Sequence, residues 1–227
     1  MNSKNITKEQ LVRMFDHTNL KAFATKEDFD KLCNEAKDNN FAMVAINSYP
    51  VKYCKSILKG TNVHVGAAIS FPLGQTSIES KVAETLNAIK DGADEIDYVL
   101  NVGKVKEKDF EYIKDEMQRI VNVCKENGVL VKVIFEICYL TDEEIKTVAK
   151  IAKEVKPNFV KTSTGFGTGG ATVEAVKLMK DIVKDDVQVK AAGGIRSWEV
   201  AAKMIDAGAT RLGTSSAFKI IEGFENR

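Results

Sequence analysis

Two segments end a short apolar run in a lysine and pass at once into glycine-rich turn residues. They are Phe159-Val160-Lys161-Thr162-Ser163-Thr164-Gly165 and Val187-Gln188-Val189-Lys190-Ala191-Ala192-Gly193-Gly194. A strand covered on both faces is expected to be almost continuously apolar, and lysine is among the residues least often buried. If the two strands are neighbours, both ammonium groups point into one cavity and each raises the cost of charging the other. Repulsion and desolvation lower a lysine pKa, and an amine that is neutral near pH 7 is a nucleophile towards carbonyls. One such lysine is equally well explained by a stem lying along apolar surface with its head in water. Two of them, both beside anion-style turns, point instead to a reactive site.

Asp97 lies in Glu95-Ile96-Asp97-Tyr98-Val99-Leu100, flanked by apolar residues. A buried carboxylate needs a cationic partner or takes up a proton, and the lysines supply one. Its role is either that of a structural counter-ion or one in proton transfer. Asp16 either joins the same cluster or ties down its own strand. The glycine-rich loops carry a second chemistry. Gly193-Gly194-Ile195-Arg196-Ser197 and Gly213-Thr214-Ser215-Ser216 each open a helical stretch. Backbone N–H groups at such a start bind phosphate, and the Ser215 and Ser216 hydroxyls add donors. Ser163-Thr164-Gly165-Phe166-Gly167 is placed to close a third side. Arg196 ranks low in this anion site, since it can pair with a protein carboxylate instead.

These residues must be held by elements that bring strand ends together. β-like runs are expected around Arg13-Asp16, Ala42-Asn47, His64-Ile69, Glu95-Leu100, Leu130-Glu136, Phe159-Lys161, Val187-Lys190 and Thr210-Gly213. Helical periodicity fills the gaps, as in Ser77-Lys90, Phe110-Glu126, Asp142-Val155, Thr172-Val183 and Trp198-Ala207. Thr141-Asp142-Glu143-Glu144 reads as a capping box, and Ser197 as another N-cap. Glycine stops follow in Asp91-Gly92-Ala93, Asn127-Gly128-Val129 and Ala207-Gly208-Ala209. Eight strands alternating with helices predict an α/β fold, a (β/α)8 TIM barrel with an extra N-terminal helix over Lys8-Phe15, as a single domain spanning 1–227. A doubly wound sheet competes, but no GxGxxG follows the first strand. In a barrel, catalytic groups come from the C-terminal ends of strands. Polar residues expected there are Asp16, Thr18, Asn47, Ser70, Asp97, Asn101, Lys132, Glu136, Lys161 and Lys190, and strands six and seven are neighbours, so Lys161 and Lys190 should meet.

Composition narrows the classes further. The 227 residues carry 33 basic and 32 acidic side chains, a net charge of +1, so no basic excess calls for nucleic acid. No run of about 18 apolar residues is present to span a membrane, and the polar start lacks a signal-peptide core. Cys33, Cys54, Cys124 and Cys138 have neither zinc spacing nor the density of a disulfide framework. A soluble, reduced, cytoplasmic protein is the expectation. With only His17 and His64 in unrelated segments, metal catalysis is disfavoured.

The same motifs resemble those of the deoxyribose-phosphate aldolases, class I enzymes that form a Schiff base, over nearly the whole chain. The resemblance rests on Asp16-His17-Thr18, Phe71-Pro72-Leu73-Gly74, Asp94-Glu95-Ile96-Asp97, Lys132-Val133-Ile134 with Glu136, Lys161-Thr162-Ser163-Thr164-Gly165, Lys190-Ala191-Ala192-Gly193-Gly194-Ile195-Arg196 and Gly213-Thr214-Ser215-Ser216. It implies that Lys161 is the nucleophile, Lys190 the neighbouring cation that depresses its pKa, and Asp97 the carboxylate of a proton relay running through a water. It implies that Asp16, Thr18 and Lys132 help to hold substrate hydroxyls or that water. Gly165, Gly194, Ser215 and Ser216 fall to the phosphate site, to which the loop reading adds Thr164, Gly193 and Gly213. The implied reaction is reversible cleavage of 2-deoxy-D-ribose 5-phosphate to D-glyceraldehyde 3-phosphate and acetaldehyde, with no cofactor and no metal, and with a homodimer or higher homo-oligomer left open. Two departures stand out. Val44-Ala45-Ile46-Asn47 lacks the second-strand cysteine of many members, and Glu225-Asn226-Arg227 lacks the tail tyrosine that assists proton transfer in some. The first should spare activity; the second leaves protonation of the enamine slower or served otherwise. Two other readings share the anion loops: a phosphosugar isomerase or epimerase, which has no need of paired lysines, and a non-catalytic phosphosugar-binding barrel, which has no need of a buried ionisable cluster.

Overall fold

Eight parallel strands, β1 (Phe15–Thr18), β2 (Met43–Asn47), β3 (His64–Ile69), β4 (Glu95–Val99), β5 (Leu130–Ile134), β6 (Phe159–Lys161), β7 (Gln188–Ala192) and β8 (Arg211–Thr214), close into a barrel in which each pairs with the next and β8 returns to β1. The computed structural model describes residues 2–227. A short helix α1 (Lys8–Val12) precedes β1. Each strand is then followed by helix: α2 (Lys26–Asp38), α3 (Val51–Ile57), α4 (Ile78–Lys90), α5 (Val102–Lys106) with α6 (Phe110–Glu126), α7 (Asp142–Val155), α8 (Val173–Val183), α9 (Trp198–Asp206) and α10 (Ala217–Glu225). Among the described residues no helix is long and apolar enough to cross a membrane.

Local chemistry explains these elements. In α6 the buried Ile113, Met117, Ile120, Val121 and Cys124 recur at helical spacing and face the barrel, while charged residues take the other side. α7 opens with a complete capping box between Thr141 and Glu144 and ends where Lys156 turns left-handed ahead of Pro157. Strand residues that face outwards, such as Val65, Ile96, Val133, Val160, Val189 and Leu212, are buried under the helices and form the apolar core between the layers. The inward row differs in kind. Asp16, Glu95, Asp97, Lys132, Lys161 and Lys190 are all buried, and small residues such as Ala45, Gly66, Ala68 and Gly213 share the barrel interior with them.

The strands over His64–Ile69 and Phe159–Lys161 have the expected bounds, while β2 and β4 differ by one residue at an end and β8 by one at each end. β5 stops at Ile134 rather than Glu136, and the N-terminal helix expected over Lys8-Phe15 stops at Val12. β1 and β7 shift for identifiable reasons. β1 begins at Phe15 rather than Arg13, because α1 stops at Val12 and Arg13 closes it as its C-cap. Thr18 is thereby a strand residue. β7 continues to Ala192 instead of stopping at Lys190, because Ala191 and Ala192 pair with Leu212 and Gly213 of β8. The glycines that follow had drawn the expected turn two residues too early.

Candidate active site

Lys161 closes β6 and stands directly opposite Lys190 in the register with β7. Lys161 Nζ donates to Asp97 Oδ2 at 2.8 Å, and Lys190 Nζ donates to the same oxygen at 2.6 Å. The other oxygen, Asp97 Oδ1, accepts from Lys132 Nζ at 2.8 Å. Lys132 also grips Glu95, and Arg211 bridges Glu95 to Asp16, its Nε donating to Asp16 Oδ1 at 2.8 Å. Lys190 Nζ meets the remaining oxygen of Asp16 at 2.5 Å. Asp97, Lys132, Glu95, Arg211, Asp16 and Lys190 thus form a closed ring of alternating charge, with Lys161 as a branch from Asp97.

The charge count decides which member is reactive. Four cations (Lys132, Lys161, Lys190, Arg211) face three carboxylates (Asp16, Glu95, Asp97), so 4 − 3 leaves one positive charge without a counter-ion. Lys132, Lys190 and Arg211 each touch two carboxylates, whereas Lys161 touches one. Releasing one proton balances the interior, and Lys161 is the member that loses least attraction by doing so. Its pKa is pushed down to about 8, chiefly by burial; attraction to Asp97 works against the shift, and repulsion from Lys190 and Lys132 adds to it. Lys132 shows the reverse case. Burial disfavours its charge, but Asp97 and Glu95 outweigh that and hold its pKa above the ordinary lysine range. Asp97, despite a burial that favours the neutral acid, is held well below the carboxylate range by Lys132, Lys161 and Lys190.

Above the ring lies a cavity of about 240 Å³ whose lining includes Thr18, Lys161, Thr164, Gly165, Gly193, Gly194, Gly213 and Ser215. Asp16, Asp97, Lys132, Lys190 and Ser216 are not part of that lining. Lys161 is therefore the one lysine of the three that meets both the ring and the cavity. Gly213 makes this packing feasible, since a Cβ there would lie 2.9 Å from that of Ala192 and 3.2 Å from Lys190 Cε. Gly193 has φ +87° and backs onto Gly170, where an added Cβ would lie 2.9 Å from the Cα, so its backbone can turn towards the cavity only as glycine.

The remaining expected groups separate. Thr18 Oγ1 donates to the Asp16 carbonyl at 2.9 Å. Glu136 accepts from the Thr164 hydroxyl and backbone N–H, shaping the loop after β6 rather than meeting the amine. Ser70 bonds Glu84 and Thr76, and Asn101 caps α5. The Ser216 N–H is committed to Thr214 Oγ1 at 2.9 Å. Arg196 is exposed, lines the cavity and has no carboxylate partner among the ion pairs of the described residues. Arg211 was not foreseen, nor was Glu95 as part of the site. The missing signal is inward alternation in β8, where Arg211 and Gly213 share a face.

Comparison with known proteins gives this arrangement its relatives. A family model described as DeoC/LacD family aldolase matches residues 11–221. A deoxyribose-phosphate aldolase of Lactobacillus acidophilus is 58% identical over 221 residues, covering 97% of this chain and 93% of the relative. One from Thermococcus kodakarensis is 53% identical over 220 residues, 96% of this chain and 98% of the relative. The tetrameric deoxyribose phosphate aldolase structure from Aeropyrum pernix superposes with a TM-score of 0.90 at 32% identity, covering 96% of this chain and 92% of that one. With a match that spans the barrel from the end of α1 into α10, this chain belongs to the DeoC/LacD aldolase family, among the deoxyribose-phosphate aldolases.

Proposed function

We propose that the chain reversibly cleaves 2-deoxy-D-ribose 5-phosphate to D-glyceraldehyde 3-phosphate and acetaldehyde through a Schiff base on Lys161. The observation that carries this reading is the one buried amine that lines the cavity, Lys161, which touches a single carboxylate of the ring. Neutral Lys161 attacks C1 of the open-chain sugar, and loss of water leaves an iminium that serves as an electron sink. A base of the Asp97 network removes the C3 hydroxyl proton, the C2–C3 bond breaks, and its electron pair forms the enamine. D-Glyceraldehyde 3-phosphate departs. Return of a proton to C2 and addition of water then free acetaldehyde and the amine. Because Asp97 holds the Lys161 and Lys190 nitrogens on one oxygen, a proton moves between these groups with little rearrangement.

The phosphate group is assigned to the loops after β6, β7 and β8, where Gly165, Gly193, Gly194, Gly213 and Ser215 line the cavity. Thr164 shapes that rim through Glu136. Binding the phosphate far from the reacting carbons orients C1 against the amine. Asp16, Thr18 and Lys132 hold the substrate hydroxyls or a relay water in this scheme; Thr18 is the one of the three that reaches the cavity, and the other two act through the ring. A single domain over residues 1–227, a reducing cytoplasmic setting and a homo-oligomer complete the proposal. The first is supported by the one closed barrel, the second by four unpaired cysteines, and the third by the tetrameric relative from Aeropyrum pernix.

Acetaldehyde with cyanoborohydride tests the reading, since reduction fixes an imine as an N-ethyl group. One added two-carbon unit on Lys161, together with aldehyde release from the sugar phosphate, is the expected result. A label on Lys190, or none on a folded protein, would refute the assignment.

A further inference from the structure

The charged ring does not stop inside the barrel. At the end opposite the cavity, where the strands begin, His64 Nδ1 lies 2.7 Å from Glu95 Oε1. Glu95 is fully buried and ionised: burial opposes its charge, but Lys132, His64 and Arg211 together hold its pKa well below the carboxylate range. A carboxylate can only accept, so the proton of this hydrogen bond sits on Nδ1 of the imidazole. The path from solvent to the reacting amine is then continuous: His64 to Glu95, Glu95 to Lys132, Lys132 to Asp97 at 2.8 Å, and Asp97 to Lys161 at 2.8 Å.

Two members of the ring's surroundings reach the far face. Arg211 is mostly covered and keeps its proton at any working pH, so it is a fixed charge. His64 has 43% of its side chain exposed and opens onto a surface depression of about 440 Å³. The other charged groups that face it there are already engaged. Lys55 is paired with Asp94 at 2.6 Å, and Arg13 donates to the Phe41 and Asn62 carbonyls at 2.7 and 3.2 Å. Glu95 alone takes the imidazole as a partner.

We infer that His64 is a positioning residue for the reacting amine: its Nδ1–H fixes Glu95, which sets how Lys132 divides its charge between Glu95 and Asp97, and so how firmly Asp97 holds Lys161 as an ammonium. Without that donor, Glu95 draws more of Lys132. Asp97 is then less compensated and holds the Lys161 proton more tightly. The amine is neutralised only at higher pH, although nothing in the cavity has changed. This inference rests on the proposed Schiff-base function.

The test is the pH profile of imine trapping on Lys161 with acetaldehyde and cyanoborohydride, in wild type, His64→Ala, His64→Phe and His64→Gln, with thermal melts alongside. The alanine and phenylalanine variants should shift the midpoint to more alkaline pH by roughly half a unit, an effect passed to the amine through three intervening residues, Glu95, Lys132 and Asp97. His64→Gln, which keeps an N–H donor, should restore much of it. The phenylalanine variant, which refills the space, gives the same reading if alanine fails to fold. An unmoved midpoint in either folded variant would overturn the inference while leaving the function intact. An acidic shift would overturn it as well. Absence of any label on wild type would remove the function and this inference together.

Discussion

Two groups of fully buried charges lie on either side of the same strand, β4. Outside the barrel, Lys81 and Glu116 form a pair with no exposed surface on either side chain. Lys81 Nζ donates to Glu116 at 2.6 Å and to the Val99 carbonyl at 2.8 Å, and Glu116 accepts from the Asn101 N–H at 3.2 Å. Inside, Asp97 sits among Lys132, Lys161 and Lys190. Burial pushes both lysines down, Lys81 and Lys161 alike. The difference is one of stoichiometry and access. The outer pair is balanced one to one, is tied to backbone and touches no cavity, so it clamps the end of β4. The inner cluster carries one cation too many, and the least compensated amine faces an opening. A buried lysine becomes a candidate nucleophile when it is surplus as well as desolvated.

The sharpest break of this comparison is Lys161→Arg. It keeps a cation but cannot form an imine, so the folded variant should show background cleavage and no acetaldehyde adduct by mass spectrometry. Next is Lys81→Met, which leaves Glu116 buried without its partner. Breaking such a pair typically costs about 3–5 kcal/mol of stability. Urea titration should show that loss, and Lys81→Met with Glu116→Leu should recover much of it, while imine formation on the folded protein stays close to wild type. Loss of labelling in the double variant would mean that the outer pair contributes to the chemistry after all.

Lys190→Leu probes the inner cluster. It removes a repelling charge and leaves Asp97 and Asp16 each short of a partner, so both effects favour the Lys161 ammonium. The neutral, reactive form exists above the pKa, so the activity rise moves to higher pH. A shift of one to two units means about a 10- to 100-fold loss at pH 7 with partial recovery in alkali. A loss uniform across pH would assign Lys190 to positioning or direct proton transfer. The smallest expected effect belongs to the anion loops. Ser215→Ala removes a hydroxyl at the cavity and should weaken use of the phosphorylated sugar by about 1 kcal/mol, sparing unphosphorylated deoxyribose, while Ser216→Ala should change little.

Much of this was legible in the chain because it follows from pairwise rules. Alternation of elements leads to the barrel, and barrel order makes β6 and β7 neighbours, which places Lys161 opposite Lys190. Asp97 was legible because a charge among apolar strand residues demands a partner. Arg211 was not, because a cation at a strand start reads as solvent-facing until the barrel closes and turns it onto Asp16 and Glu95. The extent of β7 was hidden too, since Ala191 and Ala192 carry no signal to outweigh the glycines after them; pairing with β8 decides it. α3 and α5, seven and five residues long, are too short to carry a clear period, and packing sets them. Glu136 looked like part of the ionisable cluster, but its left-handed backbone turns the carboxylate to Thr164.

The central claim is that burial, together with a barrel interior holding one cation more than it has carboxylates, makes Lys161 reactive. The rate of imine trapping on wild-type Lys161 as a function of pH measures it directly. The account predicts a rise through about 8, which leaves about a tenth of the amine neutral at pH 7 where an ordinary lysine near 10.4 would have a few molecules in ten thousand. A midpoint in the ordinary lysine range, or an adduct on another lysine, would contradict it.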